Sequence, residues 1–171
     1  MNPLKCTFGV SSGKFLGFLV HSRGIDVEPA KATAIATMKP PATVKELKSF
    51  LGKVSYSCRF IPGLASITSA FAKLLKRGQN FEWGEAQQTA FKRLQQIMTN
   101  LPTMQALIRK KPLLPYLAIN SYAIGTLIAQ EDGSGVEQLV YYISHDLKDV
   151  ETRYPRAERA CFAIVYASQR L

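Results

Sequence analysis

Apolar positions along the first eighty residues change spacing twice, and each change marks an element. Phe15 to Val20 is a continuous apolar, aromatic-rich run flanked by Gly13 and Gly24, which predicts a strand. His21-Ser22-Arg23-Gly24 reads as the turn and Ile25-Asp26-Val27 as the returning strand. Pro29 suits the first turn of a helix through Lys31, Ala34 and Ile35 to about Met38, which Lys39-Pro40-Pro41 stops. Thr43-Val44-Lys45-Glu46 has the form of a capping box: a Thr cap with Glu three residues on. Val44, Leu47, Phe50, Leu51, Val54 and Cys58 then recur at offsets of three and four, one face of a helix. Lys45, Lys48 and Ser49 fall on other faces, toward solvent or a partner. Gly52 interrupts this helix at a cost of roughly 1 kcal/mol against Ala, which leads us to expect a neighbouring backbone packed close against it. A further helix is predicted over Ile67 to Lys76, ended by Arg77-Gly78.

Beyond Phe81-Glu82-Trp83-Gly84 the period stays helical and then drops to that of strands. Glu85 to Thr99 carries Ala86, Ala90, Phe91, Leu94 and Ile97 or Met98 on one stripe. Three strands are predicted after the prolines at 102, 112 and 115: Tyr116–Asn120, Ala123–Gln130 and Gln138–Ser144. Glu131-Asp132-Gly133-Ser134-Gly135 is a hairpin turn between the last two. Arg156 to Leu171 reads as a closing helix with Cys161, Phe162, Ile164 and Val165. Strands followed by a helix form part of an α/β unit, so the class expected for the whole is α+β.

With 171 residues and 47% apolar content the chain can bury a core. Its apolar runs are too short and interrupted to span a bilayer, and Met1 to Cys6 lacks the apolar stretch of a signal peptide. Cys6, Cys58 and Cys161 are odd in number, far apart and without a Cys-x-x-Cys pair, so neither a zinc ribbon nor a disulfide framework is indicated. A reducing, intracellular setting fits, and secretion does not. The formal net charge of +10 is unevenly placed. Residues 1–80 hold twelve Lys/Arg against three Asp/Glu, a net of +9, and residues 81–171 hold ten against nine, a net of +1. The field that could attract a polyanion therefore belongs to the first half.

Other signals carry less. Gly9-Val10-Ser11-Ser12-Gly13-Lys14 has three residues between its glycines instead of four, and Phe15 stands where a phosphate loop needs Ser or Thr, so a strand-to-strand turn is expected. His21 and His145 have no paired carboxylate in their local sequence and read as surface residues. Arg109-Lys110-Lys111 reads as a solvated loop, and Trp83 and Phe91 as core anchors.

Taken in order, Phe15–Val20, Gly24-Ile25, Pro29-Ala30-Lys31, Lys45–Gly52 and Arg59-Phe60-Ile61-Pro62 closely resemble the end of the reverse transcriptase polymerase region in gypsy-type LTR retrotransposons. Lys5-Cys6-Thr7-Phe8 resembles the family's strand after the palm core. Phe81-x-Trp83 with Ala90-Phe91-x-x-Leu94 resembles the entry to the retroelement RNase H-like domain. The resemblance implies three parts: the end of the palm with the primer-grip hairpin over 1–38, a helical thumb over 39–80, and an incomplete RNase H-like connection domain over 81–171. It implies that Phe15, Leu16, Gly17 and Phe18 position a primer end, and that Lys45, Lys48, Lys53 and Arg59 contact phosphates of an RNA/DNA hybrid or DNA duplex without reading sequence. Its other partner would be the remainder of a Pol polyprotein, in a cytoplasmic virus-like particle or the nucleus.

The same resemblance marks what is missing. No Tyr-x-Asp-Asp polymerase motif occurs, and the family would place it before residue 1. RNase H chemistry uses clustered carboxylates to hold two divalent ions about 4 Å apart. Anchoring on Ala123-Ile124-Gly125 puts Ala118 at the first carboxylate position, and anchoring on Tyr154 and Ala163-Ile164-Val165 puts Ala160 at the second. The third would lie beyond residue 171. Glu131, Asp132, Asp146, Asp149, Glu151 and Glu158 are not spaced to replace them. The expectation is a template-primer-gripping portion with a degenerate RNase H-like domain, no catalytic residues and no metal or other cofactor of its own, with Mg2+ serving the intact parent. The alternatives are an active RNase H-type endonuclease using unexpected carboxylates, or an inert relic of a decayed element.

Overall fold

The computed structural model describes residues 8–76 and 78–170. The Lys5–Thr7 part of the strand expected after the palm core, Arg77 and Leu171 lie outside them. The element order is β1 (Ser12–Phe15), β2 (Phe18–His21), β3 (Gly24–Val27), α1 (Pro29–Ala36), α2 (Val44–Tyr56), α3 (Leu64–Thr68), α4 (Glu85–Thr99), β4 (Leu114–Ile119), β5 (Ala123–Glu131), β6 (Glu137–Asp146) and α5 (Arg156–Ser168). Among the described residues, two three-stranded antiparallel sheets, β1-β2-β3 and β4-β5-β6, and five α-helices make the α+β class read from the sequence.

The first sheet departs from expectation at one point. Phe15–Val20 is not one strand but two, folded at Leu16-Gly17 so that Phe15 pairs with Phe18. Both turn residues have positive φ, 48° and 79°, the pairing that matches a two-residue turn to strand twist. The apolar run conceals the turn because Leu16 gives no local sign of it. Ser12 to Lys14 accordingly lie within β1, so the expected turn at 9–14 is half strand.

The helices follow their patterns closely. Thr43 accepts a hydrogen bond from the Glu46 amide at 3.2 Å. Glu46 returns its carboxylate to the Ala42 N–H at 2.8 Å, one residue upstream of the reciprocal capping-box partner. α2 stops at Tyr56, so Cys58 leaves the stripe for a single 3-10 turn (Cys58–Phe60) and is exposed. The helix expected over Ile67–Lys76 starts earlier, at Leu64, and breaks into two 3-10 turns, Ser69–Phe71 and Lys73–Leu75. Phe71 and Leu74 are still buried, since their spacing of three suits either helix type. α4 has the predicted bounds and buries Ala90, Phe91, Leu94 and Met98.

One core runs from Ile35 of α1 through Leu47, Phe50 and Val54 of α2 and Phe71 to Phe91, Leu94 and Met98 of α4. Phe91 lies 4.9 Å from Phe50, and Trp83 stacks 5.7 Å from Phe71, centroid to centroid. Each such aromatic pair contributes about 1 kcal/mol beyond its buried area. Gln95 of α4 donates to the Ala36 and Met38 carbonyls at 2.7 and 2.9 Å, satisfying orphan groups at the end of α1.

The segment after α4 ties the two sheets together. Ile25 and Met104 exchange both backbone hydrogen bonds, at 2.7 and 2.9 Å, and the Gln105 amide donates to Leu139 of β6 at 2.7 Å. Gly24 is required here: a β-carbon on it would collide with the Met104 carbonyl. Phe60, Val27 and Met104 form a small core between the sheets, against Phe18 and Tyr141. In the second sheet Gln130 is buried yet fully engaged. Its amide accepts from Ile108 N–H at 2.8 Å and donates to the Ile108 and Lys111 carbonyls at 3.1 and 3.0 Å. Gln130 thereby fixes the loop that carries the exposed Arg109-Lys110-Lys111.

Candidate nucleic-acid interface

The hairpin tip and the C-terminal turn of α2 meet. Phe18 stacks on Tyr56 at 4.7 Å and on Phe60 at 5.7 Å. The Tyr56 hydroxyl donates to the Leu16 carbonyl, and Glu28 N–H donates to the Gly17 carbonyl at 3.2 Å. Gly17 holds φ 79°, which L side chains rarely adopt, and a β-carbon there would also displace the Lys31 ammonium and the Tyr56 hydroxyl. Of the four hairpin residues singled out in the sequence, Phe15 and Leu16 are exposed (66% and 74%), Gly17 makes the turn, and Phe18 turns inward.

α2 divides into two faces by its period. Leu47, Phe50 and Val54 are buried. Lys45, Lys48, Ser49, Gly52 and Lys53 are exposed, with Tyr56 half-buried at the end of the same face. Gly52 is not packed by any neighbour: a β-carbon there meets nothing within 4 Å. The close backbone expected against it is absent among the described residues, and the position is a shallow gap bordered by lysines. Arg59 stands apart from the three lysines, in the 3-10 turn after α2, with its guanidinium 5.7 Å from the Tyr141 ring centroid across the junction with β6.

Sequence reasoning missed Tyr56, Phe60 and Lys31. Tyr56 carried a signal, an aromatic eleven residues after Lys45 and so on the polar face of the helix. Lys31 carried none; its ammonium lies 4.3 Å from the Tyr56 ring centroid.

Both histidines are paired, contrary to the surface reading. His21 Nε2 lies 2.8 Å from Asp26, and His145 Nε2 lies 3.1 Å from Glu151, with His145 stacked on Tyr166 at 4.4 Å. The partners are five and six residues away, across a hairpin and a loop. Burial pushes the Asp26 carboxyl up, but hydrogen bonds from Thr103 and His21, with the charges of His21 and Arg23, bring it below the usual range. Burial also opposes ionisation of Glu151, and the Lys148 amide and His145 outweigh it. Asp146 has no such donors; burial raises its carboxyl.

Ala118 lies on β4 opposite Gly125, and Ala160 lies early in α5. Arg159, beside Ala160, donates to the Asn120 carbonyl at 2.8 Å, which joins the start of α5 to the end of β4. Among the described residues no three His, Cys, Asp or Glu side chains lie close enough together to hold a metal ion. Among the described residues no helix is long and apolar enough to cross a membrane.

The family model for the RNase H-like domain found in reverse transcriptase matches residues 83–171. The chain belongs to this family. Over its full length it is 30% identical to the Retrovirus-related Pol polyprotein from transposon opus of Drosophila melanogaster, of which it covers 18%. Over 96% of its length it is 26% identical to the Transposon Tf2-3 polyprotein of Schizosaccharomyces pombe, of which it covers 12%. The chain thus spans less than a fifth of these relatives. Its fold matches the foamy viral protease-reverse transcriptase in complex with RNA/DNA hybrid, with a TM-score of 0.80, 20% identity, and coverage of 94% of this chain and 22% of that one. The same protein in complex with dsDNA matches at TM-score 0.80 and 19% identity, over 94% of this chain and 34% of that one. The RNase H-like unit is therefore preceded here by a basic helical segment in the same compact arrangement as in a reverse transcriptase.

Proposed function

We propose that this chain is the template-primer-gripping, non-catalytic portion of a gypsy-type retrotransposon RNA-directed DNA polymerase. The observation that carries the reading is the outward face of α2. Three exposed lysines, none in an ion pair among the described residues, border a glycine that leaves the helix surface flat, and the aromatic-pinned hairpin rises at its end. A flat basic helix face admits a duplex backbone closely and binds by charge, independent of sequence. Lys45, Lys48 and Lys53 contact phosphates there, Arg59 contacts them from the turn beyond, and Phe15 to Phe18 support the primer end. That the relatives matched in fold were solved with RNA/DNA hybrid and dsDNA supports the choice of ligand.

The RNase H-like part serves as a connection without chemistry, Ala118 and Ala160 standing at its carboxylate positions. Its working partner is the remainder of a Pol polyprotein, and its setting a virus-like particle in the cytoplasm, or the nucleus. Mg2+ serves the polymerase site of the intact parent, outside this chain.

Equilibrium binding to a labelled RNA/DNA hybrid and to a DNA duplex of scrambled sequence, with product gels in Mg2+ and in Mn2+, tests the reading. Sequence-independent binding with an intact RNA strand is expected. Cleavage of the RNA strand abolished by Asp146→Asn or Glu158→Gln would replace it with the endonuclease reading. Absence of binding at low salt would leave an inert relic.

A further inference from the structure

We propose that Lys31 and Lys53 form a pocket that seats one backbone phosphate of a nucleic-acid strand at the joint of α1, α2 and the hairpin. The inference rests on the gripping function proposed above and adds a site to it. The pocket has a volume of about 290 Å³ and is lined by Lys31, Ala34, Ile35, Lys53 and Tyr56. Its two cations come from different helices.

Neither ammonium forms an ion pair among the described residues. Among the described residues the ion pairs are Lys14–Glu28, His21–Asp26 and His145–Glu151, and none involves Lys31 or Lys53. Glu28, which feels the charge of Lys31, is engaged by Lys14 at 2.7 Å. The partner of Lys53 is the Met38 sulfur at 3.9 Å, a weak acceptor. Lys31 is held in place regardless: its ammonium lies over the Tyr56 ring and fills the space that Gly17 leaves open. A lysine held beside an aromatic face and a glycine turn, its nearby Glu28 engaged by Lys14, is a positive charge free to meet an anion.

The rest of the lining selects the kind of anion. Ala34 and Ile35 contribute apolar surface and Tyr56 a ring, which accept a sugar better than a bare hydrated ion. The pocket adjoins the exposed face of α2 through Lys53, so a strand whose phosphates lie along Lys45 and Lys48 runs into it. Two lysines act here as point charges on one phosphate rather than as a bidentate fork. A phosphate group could also come from free inorganic phosphate, and the test separates the two sources.

The experiment is a salt series of hybrid binding for the full chain and for Lys31→Gln, Lys53→Gln, the double variant, Lys31→Arg and Lys45→Gln. Each neutralised phosphate contributes a slope of about −0.9 in log K against log salt. The expected result is that the double variant flattens the slope by about that one contact, not two. It then loses roughly 3-fold less affinity than the wild type between about 50 and 200 mM salt. Lys31→Arg should retain the wild-type slope, which separates charge from loss of packing, and inorganic phosphate at millimolar level should not displace the hybrid. A slope already flattened by a full contact in Lys53→Gln alone, or a wild-type slope in the double variant beside a flattened one in Lys45→Gln, overturns the pocket and leaves the gripping face standing. Loss of two full contacts in the double variant overturns the shared phosphate. Displacement by inorganic phosphate overturns the strand as its source. A wild-type chain that shows no salt-dependent binding overturns pocket and face together.

Discussion

Phe18 lies flat on Tyr56, their ring centroids 4.7 Å apart and their planes 9° from parallel. This contact joins the strand hairpin to the last turn of α2, thirty-eight residues away in the chain. A sheet of only three four-residue strands needs packing against a helix to stand, and here its free end is fastened by that stack, by Phe60 and by the Tyr56 hydroxyl on Leu16.

The stack predicts a stability change of known sign. Phe18→Ala should cost about 2 kcal/mol, below the range for a fully buried Phe because Phe18 is half-buried. Tyr56→Phe keeps the ring and removes only the hydroxyl bond, at about 1 kcal/mol. Denaturant midpoints of the two variants check the order, and equal losses would contradict it.

The two glycines of the proposed interface should answer oppositely to alanine. Gly17→Ala forces an L residue to φ 79° against Lys31 and Tyr56, and should lower stability by about 1–2 kcal/mol. Gly52→Ala meets open space inside a helix and should raise stability by about 0.5–1 kcal/mol. If a duplex lies on that face, the added methyl should weaken hybrid binding in the same variant. Thermal melts and binding on one preparation read both effects; unchanged affinity would place the duplex elsewhere.

Glu151 predicts a pH dependence. Its folded carboxyl titrates below its ordinary value of 4.5, held there against burial by the Lys148 amide and His145. A lowered folded value means that the ionised form is favoured by folding. Its contribution is therefore present above about pH 4.5 and lost as pH falls through the folded value. Asp146 is the reverse case, since burial raises it, so its charge opposes folding as pH rises. Glu151→Gln should destabilise at pH 7 and be neutral in acid, whereas Asp146→Asn should stabilise at pH 7. Melting temperatures across pH 3–7 check both signs.

Gln130 predicts a loss at a residue with no apolar role. Gln130→Ala removes the partner of the Ile108 amide and of two carbonyls in a part-buried loop, at about 1–2 kcal/mol. Limited proteolysis between residues 105 and 112 should accelerate with it; an unchanged rate would mean that the loop holds itself.

How much of this was legible follows from the range of each interaction. α2, α4 and the second sheet were read nearly to their ends because their signals are local: the Thr43 cap, the spacing of Leu47, Phe50 and Val54, the Asp132 turn. The fold at Leu16-Gly17 was not, because a Leu at positive φ is imposed by Tyr56 and Lys31 from other elements. The pairing of His21 with Asp26 and of His145 with Glu151 was missed because the partners meet only after a hairpin or loop closes. Gly52 was legible as an anomaly but not in its direction, since a helix glycine marks close approach without saying by whom. The lysines of α2 could be placed on the polar face from period alone; Lys31 could not, because it joins them only through packing of α1 on α2.

The most direct test of the gripping face is the salt dependence of RNA/DNA hybrid binding by the wild-type chain and by the Lys45→Gln, Lys48→Gln, Lys53→Gln triple variant, with melting temperatures matched. Steep dependence is expected in the wild type and a slope flatter by about two to three units in the variant, with equal loss for every sequence tested. A slope unchanged by the three substitutions would contradict the gripping face.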